Sequence, residues 1–177
     1  VCDSNTFDIE SLNTNLFTIN GNGKIVTKRN LGTGKINVTA PNSQKFTLTV
    51  NVVLPYTDIK NNVWYTNALK YMFTNNYISG TTESTFSPNM ELSRAMLVCI
   101  LWNMEGKPKT TAINKFPDVK NGVWYTDAIK WASSKGVING YKDGTFGPND
   151  SITREQLACI LANYAKYKKC YIKPTTN

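Results

Sequence analysis

Residues 140–149 read GYKDGTFGPN, and residues 80–89, sixty positions earlier, read GTTESTFSPN. The shared glycine, Thr-Phe and Pro-Asn landmarks mark one loop made twice. Extending the pairing from Asp58 over Asp118 to Asn103 over Asn163, without a gap, gives 21 identities in 46 positions, so the second part of the chain is a tandem repeat. Each copy keeps the same order: Asp58-Ile59-Lys60 or Asp118-Val119-Lys120, then Val-Trp-Tyr-Thr at 63–66 and 123–126, then Ala68-Leu69-Lys70 or Ala128-Ile129-Lys130. Trp124, Ala128, Trp131 and Ala132 recur at helical spacing, which predicts a first helix over 124–135 and its counterpart over 64–75. Asn76 and Gly136 stand where such a helix leaves through a left-handed residue.

The duplicated loop follows. Gly80 and Gly140 permit a tight turn, Phe86 and Phe146 can anchor the loop in the core, and Pro88 and Pro148 end any extended pairing. A second helix then opens on an N-cap, Ser93 or Thr153, and Thr153 with Gln156 has the spacing of a capping box. Leu97, Ile100, Leu101 and Met104, like Leu157, Ile160, Leu161 and Tyr164, form the expected buried stripe.

Before the repeat the period is different. Over residues 1–54, KIVTKRN, KINVTA and KFTLTVNVV alternate at period two and are separated by NGNG, LGTG and PNSQ turns, the pattern of antiparallel strands. Pro55 marks the seam. The abrupt opening VCDSNTFDIE, in strand-rich sequence and with no signal-peptide pattern, predicts a fragment or processed product. The fold class expected is α+β: a small β-sandwich-like N-terminal domain, then two helix-loop-helix repeats at 55–108 and 115–170, then a connector at 171–177.

Composition narrows the chemistry. The formal charge of +8 favours an anionic partner by long-range attraction. The chain has no histidine, which removes imidazole bases and His-ligated metals. No apolar run approaches a membrane helix. Cys2, Cys99, Cys159 and Cys170 show no CxxC spacing; buried thiols are expected, with a Cys99 to Cys159 bridge as the second option.

The second copy, FPDVKNGVWYTDAIKWASSKGVINGYKDGTFGPNDSITREQLACIL, resembles the S-layer homology domain almost throughout, including the Ile-Thr-Arg-Glu signature at 152–155. The first copy resembles it through YTDI, VWYTNAL, YISGTTESTFSP and LSRAML, with Thr81 replacing the tyrosine of Gly-Tyr and Ala95 replacing the glutamate. FTINGNGKIVTKRNLGTGKINVTA is similar to the later strands of a group 2 bacterial immunoglobulin-like domain, which makes the N-terminal piece a partial one. The resemblance implies a pseudo-threefold bundle to which each repeat gives one helix. Two repeats are present, so a third repeat or self-association is expected to complete it.

It also implies a non-catalytic, secreted anchoring module on the wall of a Gram-positive-type bacterium, binding an anionic and possibly pyruvylated secondary cell-wall polysaccharide between neighbouring repeats. No cofactor, metal, nucleic acid or membrane insertion is implied. Arg94 and Arg154, at the start of the second helices, offer planar forks for a carboxylate beside the free N–H groups of a helix N-terminus. Trp64 and Trp124, or Trp131, can stack on a sugar face; packing of Trp64 and Trp124 in the core is the competing reading. Asp58, Asp118, Gly80, Gly140, Tyr141, Gly144, Ser93 and Thr153 complete the candidate glycan set. For Arg154 the competing reading is a bridge to Asp118, for Asp143 a turn-forming role, and for Ser93 and Thr153 helix capping. Two other functions stand beside anchoring. One is a structural module of a surface layer that holds protein partners, and the other is the C-terminal part of a larger surface enzyme. Asp118, Asp127, Asp143 and Glu155 fall at capping, loop and surface positions, which argues against catalysis within these residues.

Overall fold

The computed structural model describes residues 7–60 and 62–170, so Cys2 and the 171–177 connector lie outside the described residues. The chain divides into two compact units between Pro88 and Asn89, inside the first copy of the repeat, whereas the sequence places the seam near Pro55.

The first unit opens with five strands, β1 (Asp8–Ser11), β2 (Phe17–Ile19), β3 (Ile25–Thr27), β4 (Gly32–Thr39) and β5 (Lys45–Val52). They form an antiparallel sheet in the order β1-β4-β5 and a separate β2-β3 pair. The turns are made as their residues require: Asn20 Oδ1 accepts from the amides of Asn22 and Lys24, and Ser43 takes φ 64 between β4 and β5. Leu16, Phe17, Ile36 and Val52 form the buried centre. Alternation does not guarantee cover: Phe46 and Leu48, on the same face of β5 as Val52, are 48% and 54% exposed.

Leu31 packs on this centre and also on Tyr56, Leu69 and Phe73, the core under helix α1 (Thr66–Thr74). Arg29 fastens the same joint. Its Nε donates to Phe73 O at 3.0 Å, its Nη2 donates to Ile78 O at 3.1 Å, and its Cζ lies 3.9 Å from the Phe73 ring centre. The strands and the first helix are therefore packed together within the first unit.

The second unit holds α2 (Arg94–Met104), α3 (Thr126–Ser134) and α4 (Arg154–Tyr167). Helix α2, sequentially part of the first copy, packs on α3 of the second. Their shared core contains Val98, Ile129, Trp131, Val137, Ile138 and Phe146. At the far end of α2, Glu105 accepts from Tyr164 Oη at 2.6 Å and from Lys168 Nζ at 2.9 Å, tying α2 to α4. Burial pushes the Glu105 carboxyl up, but the bonds from Tyr164 and Lys168 outweigh it, so the group stays below its ordinary range.

The helix ends follow their signals at two of three kinds of position. Ser93 and Thr153 accept from the amides of Met96 and Gln156, and Gln156 returns the bond to complete the capping box. Asn76 and Gly136 take φ 62 and 68. The first helices differ: they begin at Thr66 and Thr126, two residues later than periodicity predicts, and Tyr65 and Tyr125 cap them without a side-chain bond. Thr126 holds a preceding turn instead, its Oγ1 donating to Lys120 O and accepting from Val123 N. Trp64 and Trp124 are thereby off the helix. Two stripe positions and two thiols also differ from expectation, since Met104, Leu161, Cys159 and Cys170 are exposed. Cys99 and Cys159 are both free thiols, which removes the bridge. No helix among the described residues is long and apolar enough to cross a membrane.

Candidate functional site

Each duplicated loop is latched by the aspartate that opens its copy. Asp118 Oδ1 and Oδ2 accept from the amides of Phe146 and Gly147 at 2.9 and 2.7 Å; Asp58 does the same for Phe86 and Ser87 at 2.8 and 2.7 Å. Neither aspartate is bridged by Arg154, so that sequence alternative fails. The Phe86 amide, joined by that of Ser87, holds the Asp58 carboxyl below the usual carboxylate range. A depressed folded value means the latch contributes fully above the unfolded value of 3.8 and loses its contribution as pH falls through the lower folded one. Amide shifts of Phe86 and Ser87, followed by NMR from about pH 6 to about pH 2, should therefore titrate together with a midpoint below 3.8. A midpoint at or above that value would remove the latch.

Inside the loops, Asp143 acts as a turn residue, its Oδ1 accepting from the amide and hydroxyl of Thr145. The first copy reaches the same turn without it: Thr82 Oγ1 accepts from the amides of Ser84 and Thr85. Gly144 takes φ 87 and has open space around it. Gly80 and Gly140 have none. A Cβ on Gly140 would meet Thr145 O at 2.5 Å and Phe116 Cε1 at 2.6 Å, and one on Gly80 would meet Thr85 O at 2.2 Å and Tyr56 Cε1 at 2.5 Å. The space beside these glycines belongs to the aromatic residue two before each latch, and Tyr56 Oη also accepts from Gly80 N at 2.7 Å. Those aromatics, Tyr56 and Phe116, are packing positions that the sequence reading missed; the signal available was their fixed spacing from the aspartate.

The two arginines part company. Arg94 is 4% exposed, with Nε donating to Phe146 O at 2.8 Å and Nη2 to Asn139 O at 3.2 Å. Its Cζ lies 4.6 Å from the Tyr141 ring centre and 4.7 Å from that of Phe146, while Tyr141 Oη donates to Asp150 at 3.0 Å. The backbone closes the same joint: Arg94 N donates to Asp150 O, Ala95 N to Pro148 O, and Ile152 N to Leu92 O. Arg94 is a pin between one helix and the next loop, and its candidacy as a carboxylate ligand is corrected on that ground. Arg154 is exposed, and no hydrogen bond or ion pair engages it among the described residues.

The indoles part company too. Trp131 is 1% exposed and is the core tryptophan, which ends its candidacy for stacking. Trp64 and Trp124 are 94% and 59% exposed, which corrects the expectation that they pack inside. Each touches the following tyrosine ring at a steep angle, at 5.4 and 5.1 Å between centres. Cys99 on α2 directs its thiol toward Trp124 O at 3.9 Å, and burial pushes that thiol up to about 12, so it stays a protonated donor. Trp124 therefore stands at the margin of the α2–α3 joint that Arg94 pins. Among the described residues no cluster of three or more acidic or cysteine side chains is placed to hold a metal ion.

Residues 55–95 and 115–158 match the S-layer homology domain. The chain carries two S-layer homology repeats. Both matches run from the residue before the aromatic–aspartate opening, or just ahead of it, into the first turn or two of the second helix, so they cover the latch, the indole, the loop and the arginine in each repeat. Curated relatives match parts of the chain. An endoglucanase of Bacillus sp. (strain KSM-635) is 32% identical over 113 residues, 64% of this chain and 12% of the relative. A cellulosome-anchoring protein of Acetivibrio thermocellus is 29% identical over 117 residues, 63% of this chain and 26% of the relative. An S-layer protein of Bacillus licheniformis is 45% identical over 54 residues, 30% of this chain and 6% of the relative. The chain thus spans about a quarter or less of each of these relatives. In the S-layer homology repeats themselves, many of the shared landmarks are internal fastenings, and the indole is a shared aromatic that faces water in both.

Proposed function

We propose that this chain is a non-catalytic anchoring module of the bacterial cell surface, whose repeats bind an anionic wall polysaccharide, with a pyruvate ketal carboxylate as the preferred acidic group. The observation that carries the reading is the pair of exposed indoles, Trp64 and Trp124, at one repeat position. An indole left in water adds nothing to the core, and a flat apolar ring with an N–H suits the face of a sugar. The net charge of +8 draws an acidic polymer in, and Arg154 offers an exposed guanidinium, unpaired among the described residues, that can meet a carboxylate in a bidentate way. Asp58, Asp118, Ser93 and Thr153 then act as the scaffold that aims these groups, and the β strands serve as an immunoglobulin-like spacer. The endoglucanase and the cellulosome-anchoring protein among the relatives are consistent with an anchor joined to varied cargo.

The test is co-sedimentation with purified cell-wall sacculi before and after extraction of the secondary polymer. Binding should vanish on extraction; binding that survives it points instead to a protein-binding module of a surface layer. Trp124→Ala should weaken binding at least about tenfold, about 1.4 kcal/mol, with the melting temperature unchanged. A folded Trp124→Ala protein that binds as tightly as the parent removes the indole from the site.

A further inference from the structure

The sequence holds four Asn-Gly pairs, at 20–21, 22–23, 121–122 and 139–140. In such a pair the next backbone nitrogen can attack the side-chain carboxamide, because glycine brings no Cβ to obstruct the approach. Folding decides which pair can use that chemistry. Asn20 is held, its Oδ1 accepting from the amides of Asn22 and Lys24 at 3.1 and 2.9 Å. After Asn22 the nucleophile is engaged, since Gly23 N donates to Asn20 O at 2.9 Å. At Asn139 the main chain is fixed on both sides: its carbonyl holds Arg94 Nη2 at 3.2 Å, and a Cβ on Gly140 would meet Thr145 O at 2.5 Å. The pair at 121–122 has none of these restraints. Both residues are exposed, a Cβ on Gly122 would stand in open space, and Gly122 N makes no hydrogen bond among the described residues. The Asn121 carboxamide has one partner, Asn114 Nδ2 donating to its Oδ1 at 3.5 Å, a long bond placed to steady negative charge as it develops on that oxygen.

We propose that Asn121 is a site of spontaneous deamidation, with Gly122 N as the nucleophile, and that the product displaces Trp124 and weakens wall attachment. Hydroxide takes the proton from Gly122 N, and the nitrogen bonds to Asn121 Cγ. The Cγ–Nδ2 bond breaks and Nδ2 leaves as ammonia with a proton from water, which restores the hydroxide and closes a cyclic imide. Water then opens the ring at either carbonyl. Opening at Cγ gives an aspartate; opening at the main-chain carbonyl gives an isoaspartate, whose backbone runs through Cγ and is longer by one atom. Both products bear on the indole three residues on. Thr126 Oγ1 donates to Lys120 O at 2.6 Å and accepts from Val123 N at 3.1 Å, so Asn121 and Gly122 form the apex of a turn closed by one hydroxyl. An added backbone atom in that apex spoils the fit of the two bonds, and Trp124 directly follows Val123. Either product also carries a carboxylate at neutral pH, which lowers the net charge of +8 by one. The first repeat has Asn61-Asn62 at this position, and the Cβ of Asn62 obstructs the same closure. The effect on attachment rests on the polysaccharide reading; the modification and the displacement of Trp124 do not.

The whole chain is aged at mildly alkaline pH and digested, and each Asn-Gly peptide is followed by mass spectrometry with fragmentation that separates aspartate from isoaspartate. In the folded chain Asn121 should convert first, at a rate proportional to hydroxide, and give both products. In urea the four pairs have the same following residue and no fold to restrain them, so their rates should converge. Another pair converting faster in the folded chain, or the same ranking persisting in urea, would overturn the site. The Val123 amide and Trp124 indole NMR signals should move in the aged parent and stay in place in aged Asn121→Gln, whose longer side chain closes the ring poorly; unmoved signals in fully converted protein would overturn the displacement. In the sacculus assay, aged parent should bind roughly threefold more weakly than fresh parent, the scale of one exposed charge, and aged Asn121→Gln should bind as it does fresh. Fresh parent that does not bind removes the polysaccharide reading, whereas fresh and converted parent that bind equally remove the present inference.

Discussion

Arg94→Ala should lower the stability of the second unit by about 3–5 kcal/mol, within the range for leaving two hydrogen-bonded carbonyls unpaired and emptying the space between two rings. Arg94 lies 4% exposed and its two guanidinium bonds end on the carbonyls of Phe146 and Asn139. Deleting it leaves both carbonyls without a partner, each at about 1–3 kcal/mol, and opens a cavity between the rings of Tyr141 and Phe146. A unit of this size should then melt at least about 12 °C lower. Arg94→Lys recovers little, because an ammonium cannot reach two carbonyls at fixed separation while lying flat between two rings. Arg154→Ala, at the same repeat position, should change stability by no more than about 0.5 kcal/mol, as an exposed residue with no partner among the described residues does. Thermal unfolding of the two variants side by side decides the matter: equal losses would mean that the repeat position, and not the following loop, determines what the arginine does.

That contrast also shows where the sequence is legible and where it is not. The repeat period, the four helices, the caps at Ser93 and Thr153 and the left-handed exits at Asn76 and Gly136 are local, and each is written in a few adjacent residues. The fate of the arginines is not local. Arg94 and Arg154 occupy equivalent positions in one-dimensional comparison, yet one has a following loop to enter and the other does not within the described residues. The same distinction separates Ala128 from Ala68 and Leu101 from Leu161. The unit boundary was hidden for a related reason. Pro55 and the change of period announce a seam, but Arg29 and Leu31 reach across it to Phe73 and Leu69, and side-chain reach of that kind has no signature in spacing. Glycine roles were legible only in part: the requirement for Gly80 and Gly140 was visible, whereas its cause, the rings of Tyr56 and Phe116 lying against them, needed coordinates.

The tryptophans give the sharpest test of that limit. Helical periodicity puts Trp124 and Trp131 on one face, so either can be taken for the core residue; the turn held by Thr126 Oγ1 starts the helix after Trp124 and leaves Trp131 alone inside. Trp131→Ala should cost about 3–5 kcal/mol, the range for emptying the site of a large buried aromatic. Trp131 is 1% exposed, packs edge-on against Tyr167 at 5.7 Å and joins the core that α2 shares with α3. Trp131→Phe should cost clearly less than the alanine variant. The indole Nε1 is buried with no hydrogen-bond partner among the described residues, and deleting an orphaned donor relieves about 1–3 kcal/mol of desolvation that the lost packing then offsets. Trp124→Ala should fall within about 0.5 kcal/mol of the parent, because a ring 59% exposed leaves little cavity behind. In urea, the order of midpoints should be parent and Trp124→Ala together, then Trp131→Phe, then Trp131→Ala, with slopes unchanged. If Trp124→Ala instead fell alongside Trp131→Ala, the indole in water would be a core residue after all, and the surface assigned to the polysaccharide would lose the group on which it rests.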